Sequence, residues 1–337
     1  MPKKRKKHIL KTTKKAIVLS IIAVVLIIAV LITNAFIPIK YLSAYISSTD
    51  KNRQGEMRVR FLDVGFGDCA LVELPDGKNL LIDGGDGIYS HELSLLKTLN
   101  SSGIDVIDYL VCTSVFSEHC GGLEEILKYK KVKTVYAPYC TNASNFNEYS
   151  AFISRAERSA EVVKISEIGE GVTSEYGYTF TFLSPTTYTF SGGEYDLFNK
   201  NPTEQNARAA SAVLWLEYAG RGIMFLSDAT YGVQSAISVT YSLGGALYFN
   251  GRNIDITKCM AVKTACHGAS GSVCEAFYDL ISPEAAIISV GENGRSYPAE
   301  DVVLNLQNKC SLYRTDADGT ICIKIGANGN YGLTKEK

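Results

Sequence analysis

From Met57 onward apolar and polar side chains alternate in short runs: Met57-Arg-Val-Arg-Phe-Leu-Asp-Val64, then Cys69-Ala-Leu-Val-Glu-Leu74, then Asn79-Leu-Leu-Ile-Asp83 after a Pro75-Asp-Gly77 turn. A period of two, broken by turn residues, predicts three short strands. A helical stretch near His91 to Leu99 leads to a strand over Ile107 to Thr113 and a helix from about Gly122 to Lys130. The middle, about residues 140 to 205, mixes a helix over Asn145 to Ala160 with a strand over Tyr178 to Leu183 and carries no chemical motif.

The alternation then returns. Strands are predicted at Ala212 to Tyr218, Gly222 to Leu226, up to Thr264, Ala285 to Val290, Ser311 to Arg314 and Gly319 to Ile325. Helices are predicted after Asp228, over Val273 to Ile281 and over Ala299 to Gln307. Two strand-rich halves flanked by helices predict two facing sheets covered outside by helices.

Ahead of this lies a different pattern. Residues 16–37 are apolar except Ser20, Thr33 and Asn34, and a helix of that length crosses a bilayer core at about 1.5 Å per residue. The first fifteen residues hold eight Lys or Arg and no acid. Basic charge on that side puts residues 1–15 in the cytoplasm and the chain after about residue 40 outside. The alternative is a cleaved signal peptide, with Thr33-Asn34-Ala35 as its small-residue site; the apolar run exceeds the roughly 7 to 15 residues of such a segment, which favours an anchor. The expected organisation is a basic tail (1–15), a membrane helix (16–37), a stalk (38–56) and one domain (57–330).

The formal charge of −1 conceals this division: past residue 15 there are 26 basic and 35 acidic residues, or −9. Nucleic-acid affinity comes largely from Lys and Arg displacing counterions, so long nucleic acid is disfavoured as a partner. Nine cysteines occur without a CxxC pair or regular spacing, so no zinc ribbon or disulfide framework is read from them. Several, such as Cys112 and Cys322, sit in apolar strand-like runs, where a buried inert thiol is expected.

Several strings, in order across about 270 residues, resemble the hydrolase domain of the ComEC competence family within the metallo-β-lactamase superfamily. They are Phe61-Leu-Asp-Val-Gly-Phe-Gly-Asp68, Leu81-Ile-Asp-Gly-Gly85, Ile107 to Thr113 running into Gly121-Gly-Leu123, Leu226-Ser-Asp228, Lys263 to Ser270, Ala285 to Gly291 and Tyr313 to Thr320. The resemblance covers only the domain after the apolar segment and not the family's multi-span portion. It implies an αββα four-layer metallo-β-lactamase-like fold.

It also implies where chemistry should sit. The family's HxHxDH loop, which supplies imidazoles and a carboxylate to two divalent metals, reads Ser114-Val-Phe-Ser-Glu-His119 here. Phe116 and Ser114 remove one metal site, while Glu118 matches the Asp and His119 the last His. The bridging Asp corresponds to Asp228. The His-His-Gly-Ser string reads Cys266-His-Gly-Ala269, and the final His-Pro reads Tyr297-Pro298.

Glu118, His119, Asp228 and His267, with Cys266 as a thiolate, therefore have the types needed for a single Zn or Mn ion; the alternative is a metal-free cluster of hydrogen-bonded cleft groups. Asp83 matches a carboxylate that orients a metal-bound His, or closes the Gly84-Gly85 turn. Asp68, with Asp63, flanks Gly65-Phe66-Gly67, either a backbone bend or a ligand-facing loop. In this fold the loops of Cys120 and Cys266 face each other, so a disulfide between them would staple the cleft. His91 is expected to be solvated.

Two functions follow from the resemblance. The first is a non-catalytic, membrane-anchored surface module with a membrane or surface protein partner. The second is a one-metal hydrolase of ester or phosphodiester bonds, with Glu118 and Asp228 as catalytic groups.

Overall fold

Strand Met57–Phe61 pairs antiparallel with Ala70–Glu73 on one side and with Ile321–Ile325 on the other, so the beginning and end of the domain share one sheet. The computed structural model describes residues 2–36, 54–138, 145–165, 170–185, 204–243, 248–249 and 252–337. The first sheet runs Tyr331–Lys335, Ile321–Ile325, Met57–Phe61, Ala70–Glu73, Asn79–Ile82, Val106–Val111, Lys131–Pro138, Glu161–Ile165. Its last four strands are parallel. The second runs Ser311–Arg314, Ala285–Ile288, Cys259–Lys263, Arg221–Phe225, Val213–Tyr218, Tyr178–Ser184, Gly171–Thr173, and its first four strands are parallel.

The sheets face each other across a core of Phe61, Val72, Phe180, Leu214, Phe225, Ile287 and Ile321, among others. The strand alternation in the sequence is the cause: one face of each strand enters this layer. The parallel strands are covered on both sides, and all four residues of Ala285–Ile288 are buried, as parallel sheets require. Outside the first sheet, helix Asn147–Ser159 buries Tyr149, Phe152 and Ala156, a stripe with helical spacing; sequestering Phe152 alone is worth roughly 2 to 3 kcal/mol. Outside the second, helices Tyr231–Ser242, Glu275–Ile281 and Glu300–Gln307 bury Ile237, Phe277 and Leu306 in a separate apolar cluster. The fold is thus the expected αββα sandwich.

Strands Lys131–Pro138, Glu161–Ile165 and Gly171–Thr173 go beyond the sequence expectations, as does Tyr331–Lys335, which extends the domain past residue 330. Residues 1–47 form a separate unit. Its helix, Pro2–Phe36, contains one segment, Lys14–Leu31, long and apolar enough to cross a membrane. Residues 38–53 of the expected stalk, and Cys140, lie outside the described residues.

What positions the site is strand direction. Asp83 follows strand Asn79–Ile82, His119 follows Val106–Val111, Asp228 follows Arg221–Phe225 and His267 follows Cys259–Lys263. All four residues sit past the carboxyl ends of parallel strands, where α/β sheets characteristically form their clefts.

Candidate metal centre

Asp83 ends its strand with φ of 58° and carries its carboxylate across to the neighbouring loop. Its Oδ1 accepts from the Thr113 amide at 2.7 Å and its Oδ2 from the Thr113 hydroxyl at 2.5 Å. Ser227 closes this link to the second sheet, its hydroxyl 2.6 Å from Thr113 Oγ1. His119, in the one-turn helix Ser117–Cys120, has Nδ1 3.0 Å from Asp83 Oδ2. His267 lies in a left-handed pair, Cys266 at φ 51° and His267 at φ 52°, and donates from Nδ1 to the Ser289 carbonyl at 2.9 Å.

Each imidazole is therefore held through Nδ1 by an acceptor behind it, the arrangement that orients metal-bound histidines. Nε2 of His119, Nε2 of His267 and Oδ1 of Asp228 are all buried and have no hydrogen-bond partner among the described residues. Donor atoms from these three residues lie within 4.8 Å of one another. Two imidazole nitrogens and a carboxylate oxygen suit one divalent ion. They do not suit a pair: Phe116 offers no donor, and the Ser114 hydroxyl is engaged by Ser211 at 3.0 Å. The other grouping, Asp68, Asp83 and His119, is engaged internally by Thr113 and Lys263.

Two expected ligands fall outside the cluster. Glu118 precedes His119 on the short helix and takes another direction: Oε1 lies 3.5 Å from Arg295 Nη1 and 3.8 Å from Arg208 Nη2. Cys266 donates its thiol to the Asp228 carbonyl at 3.5 Å, because the left-handed pair turns His267 into the cleft and Cys266 aside. Burial pushes the Cys266 thiol well up, opposing a thiolate. The expected Cys120–Cys266 disulfide is absent: both thiols are free, and Cys120 points at the Val115 carbonyl at 3.6 Å. His91 is not solvated but half-buried, with Nδ1 2.9 Å from Asp86 Oδ1. It lies so close to Gly65 that a Cβ there would overlap its ring. The Gly65-Phe66-Gly67 segment is both a bend and a cleft wall, with Phe66 4.7 Å from the His267 ring.

Two cations missed in the sequence shape the electrostatics. Lys263 Nζ is bonded to Asp68 Oδ2, and both are buried. Burial alone would raise the Asp68 carboxyl; Lys263, His267 and His119 overcome this and hold it at about 2. Arg208 Nη1 bonds Asp228 Oδ2 at 2.8 Å, and its guanidinium lies 4.3 Å over the Phe116 ring. Burial disfavours the Asp228 carboxylate, but His119 and Arg208 prevail and hold it far below the usual range. For His119 burial favours the neutral ring, and Asp228, Asp68 and Asp83 together outweigh it, pushing the imidazole well up. Lys263 stood within a string carrying the family resemblance. Arg208 had no such signal, lying in a six-residue helix, Glu204–Ala209, without a motif.

No family model matches the chain. Its two mixed sheets with outer helices make an α/β sandwich, and several solved structures are similar to it. One is a metal-dependent hydrolase of the β-lactamase superfamily, 12% identical, covering 78% of this chain and 98% of that one with a TM-score of 0.47. Another is Zn2+-bound PqqB from Methylobacterium extorquens, 13% identical, covering 76% and 87% with a TM-score of 0.44. Among curated proteins the chain is similar to ComE operon protein 3 of Bacillus subtilis (strain 168); 28% of 285 residues are identical, 79% of this chain. The match spans 33% of that protein's length.

Proposed function

We propose that the chain is a membrane-anchored, competence-related surface protein whose hydrolase-like domain does not perform dinuclear hydrolysis and serves as a binding or accessory module. The observation that carries this reading is the occupation of the cleft carboxylates by the protein's own cations: Lys263 on Asp68 and Arg208 on Asp228, with Arg208 stacked on Phe116. The basic residues before the apolar segment support an inside amino terminus and an outer domain. The test is an assay of the full chain in detergent with Zn2+ or Mn2+ against phosphodiester and ester substrates. No turnover is expected, and turnover abolished by His119→Ala would replace this reading with the next.

The second reading is a one-metal hydrolase, favoured by the Nε2 atoms of His119 and His267, which face the cleft without a hydrogen bond among the described residues, that of His119 lying 3.3 Å from Asp228 Oδ2. A bound divalent ion there would lower the pKa of a water for attack on an ester or phosphodiester. In that reaction Asp83 and the Ser289 carbonyl orient the imidazoles. Asp228 is the third donor. Stoichiometric tightly bound metal in the purified chain separates this reading from the first.

A further inference from the structure

Arg208 is anchored from three directions. From the second sheet, Asp228 Oδ2 accepts from Nη1 at 2.8 Å. From the first sheet's loop come the Phe116 ring at 4.3 Å and Glu118 Oε1 at 3.8 Å. From its own helix, Glu204 Oε1 accepts from Nη2 at 2.8 Å and from Nε at 3.1 Å. The side chain is 18% exposed, while the Asp228 side chain is fully buried. Only a planar guanidinium can present one edge to Asp228, another to Glu204 and its face to an aromatic ring. Phe116 supplies that ring on the loop of His119, so the residue that removes a metal donor also seats the cation.

We propose that Arg208 is a resident counter-cation of the cleft, which neutralises Asp228 without metal and sets how weakly the cluster takes a divalent ion. The proposal rests on the reading of His119, Asp228 and His267 as a one-ion cluster. An incoming ion and the guanidinium share one carboxylate: Arg208 holds Oδ2, while Oδ1 remains buried and unpartnered. Two positive charges on one buried carboxylate repel strongly because little water screens them. Arg208 therefore lowers the affinity for the ion without removing the donors.

The test is calorimetric titration of Zn2+ and Mn2+ into the full chain in detergent, comparing wild type, Arg208→Met and Arg208→Lys, each with and without His119→Ala. Arg208→Met is expected to bind one ion at least tenfold more tightly than wild type, and Arg208→Lys, which keeps the charge but not the planar fork, to gain clearly less than Arg208→Met. Should Arg208→Met fail to fold without metal, recovery of its circular dichroism on adding Zn2+ is the expected result, and no recovery overturns the proposal. Equal affinities for Arg208→Met and wild type, or equal gains in the Met and Lys variants, overturn it as well. Where His119→Ala still weakens binding in such a case, the one-ion reading survives alone. Where His119→Ala changes nothing in any background, both fall.

Discussion

His119 Nδ1 sits 3.0 Å from Asp83 Oδ2, while its Nε2 has no hydrogen-bond partner although Asp228 Oδ2 lies 3.3 Å away. One ring nitrogen is thus fixed from behind and the other faces the cleft. Asp83→Asn removes the charge and can present an amide donor to Nδ1. It is expected to weaken Zn2+ binding about ten- to a hundredfold, read by competition with a chromophoric chelator; unchanged affinity would show that Asp83 serves only its turn.

His119→Ala and His267→Ala should each eliminate stoichiometric ion binding, because each removes one of only three donors. Glu118→Gln and Cys266→Ser should leave affinity within about threefold, since neither side chain joins the cluster. Isothermal titration of the four variants separates this donor set from the wider one suggested by the sequence.

Ion affinity should rise with pH. Asp228, Asp68 and Asp83 raise the pKa of the His119 imidazole against its burial, and an ion must displace the proton they favour. Below that raised pKa the affinity is expected to climb about tenfold per pH unit. A flat response across pH 6 to 8 would indicate that the ion binds without His119.

Acid should destabilise the metal-free fold through Asp68. Its carboxyl sits at about 2 when folded against an ordinary 3.8. A depressed value means that the stabilisation is complete above the ordinary pKa and disappears as pH falls through about 2. The difference corresponds to about 2 kcal/mol for this buried group. Urea midpoints in chelator measured from pH 5 downward should show the loss, and Lys263→Met should reduce this component while lowering stability throughout.

Gly122→Ala should loosen the loop that carries His119. A Cβ at Gly122 would come 2.3 Å from the Gly84 carbonyl oxygen, and Gly84 itself donates to the His119 carbonyl at 2.8 Å. Backbone must move to relieve the overlap, at an expected cost of about 1 to 3 kcal/mol, measurable as a lower thermal midpoint together with weaker Zn2+ binding.

The strands were legible from two patterns, apolar and polar alternation in Met57–Phe61 and short apolar runs such as Ala285–Ile288, each bounded by turn residues. Lys131–Pro138 alternates too, but it follows a helix closely and merged with a middle region of mixed pattern. The positions of His119, Asp228 and His267 could be placed by strand-end motifs. The directions of Glu118 and Cys266 could not, since they depend on a one-turn helix and two consecutive left-handed residues that no periodicity encodes. Arg208 was invisible for a related reason: its partners Asp228 and Phe116 are distant in sequence and meet it only through folding.

The pairing of Met57–Phe61 with Ile321–Ile325 has a consequence for synthesis. Strand Met57–Phe61 lacks one of its neighbours until Ile321–Ile325 has been made. A chain interrupted before Ile321–Ile325 would leave the free edge of Met57–Phe61 unpaired, so the first sheet waits on a segment distant in sequence.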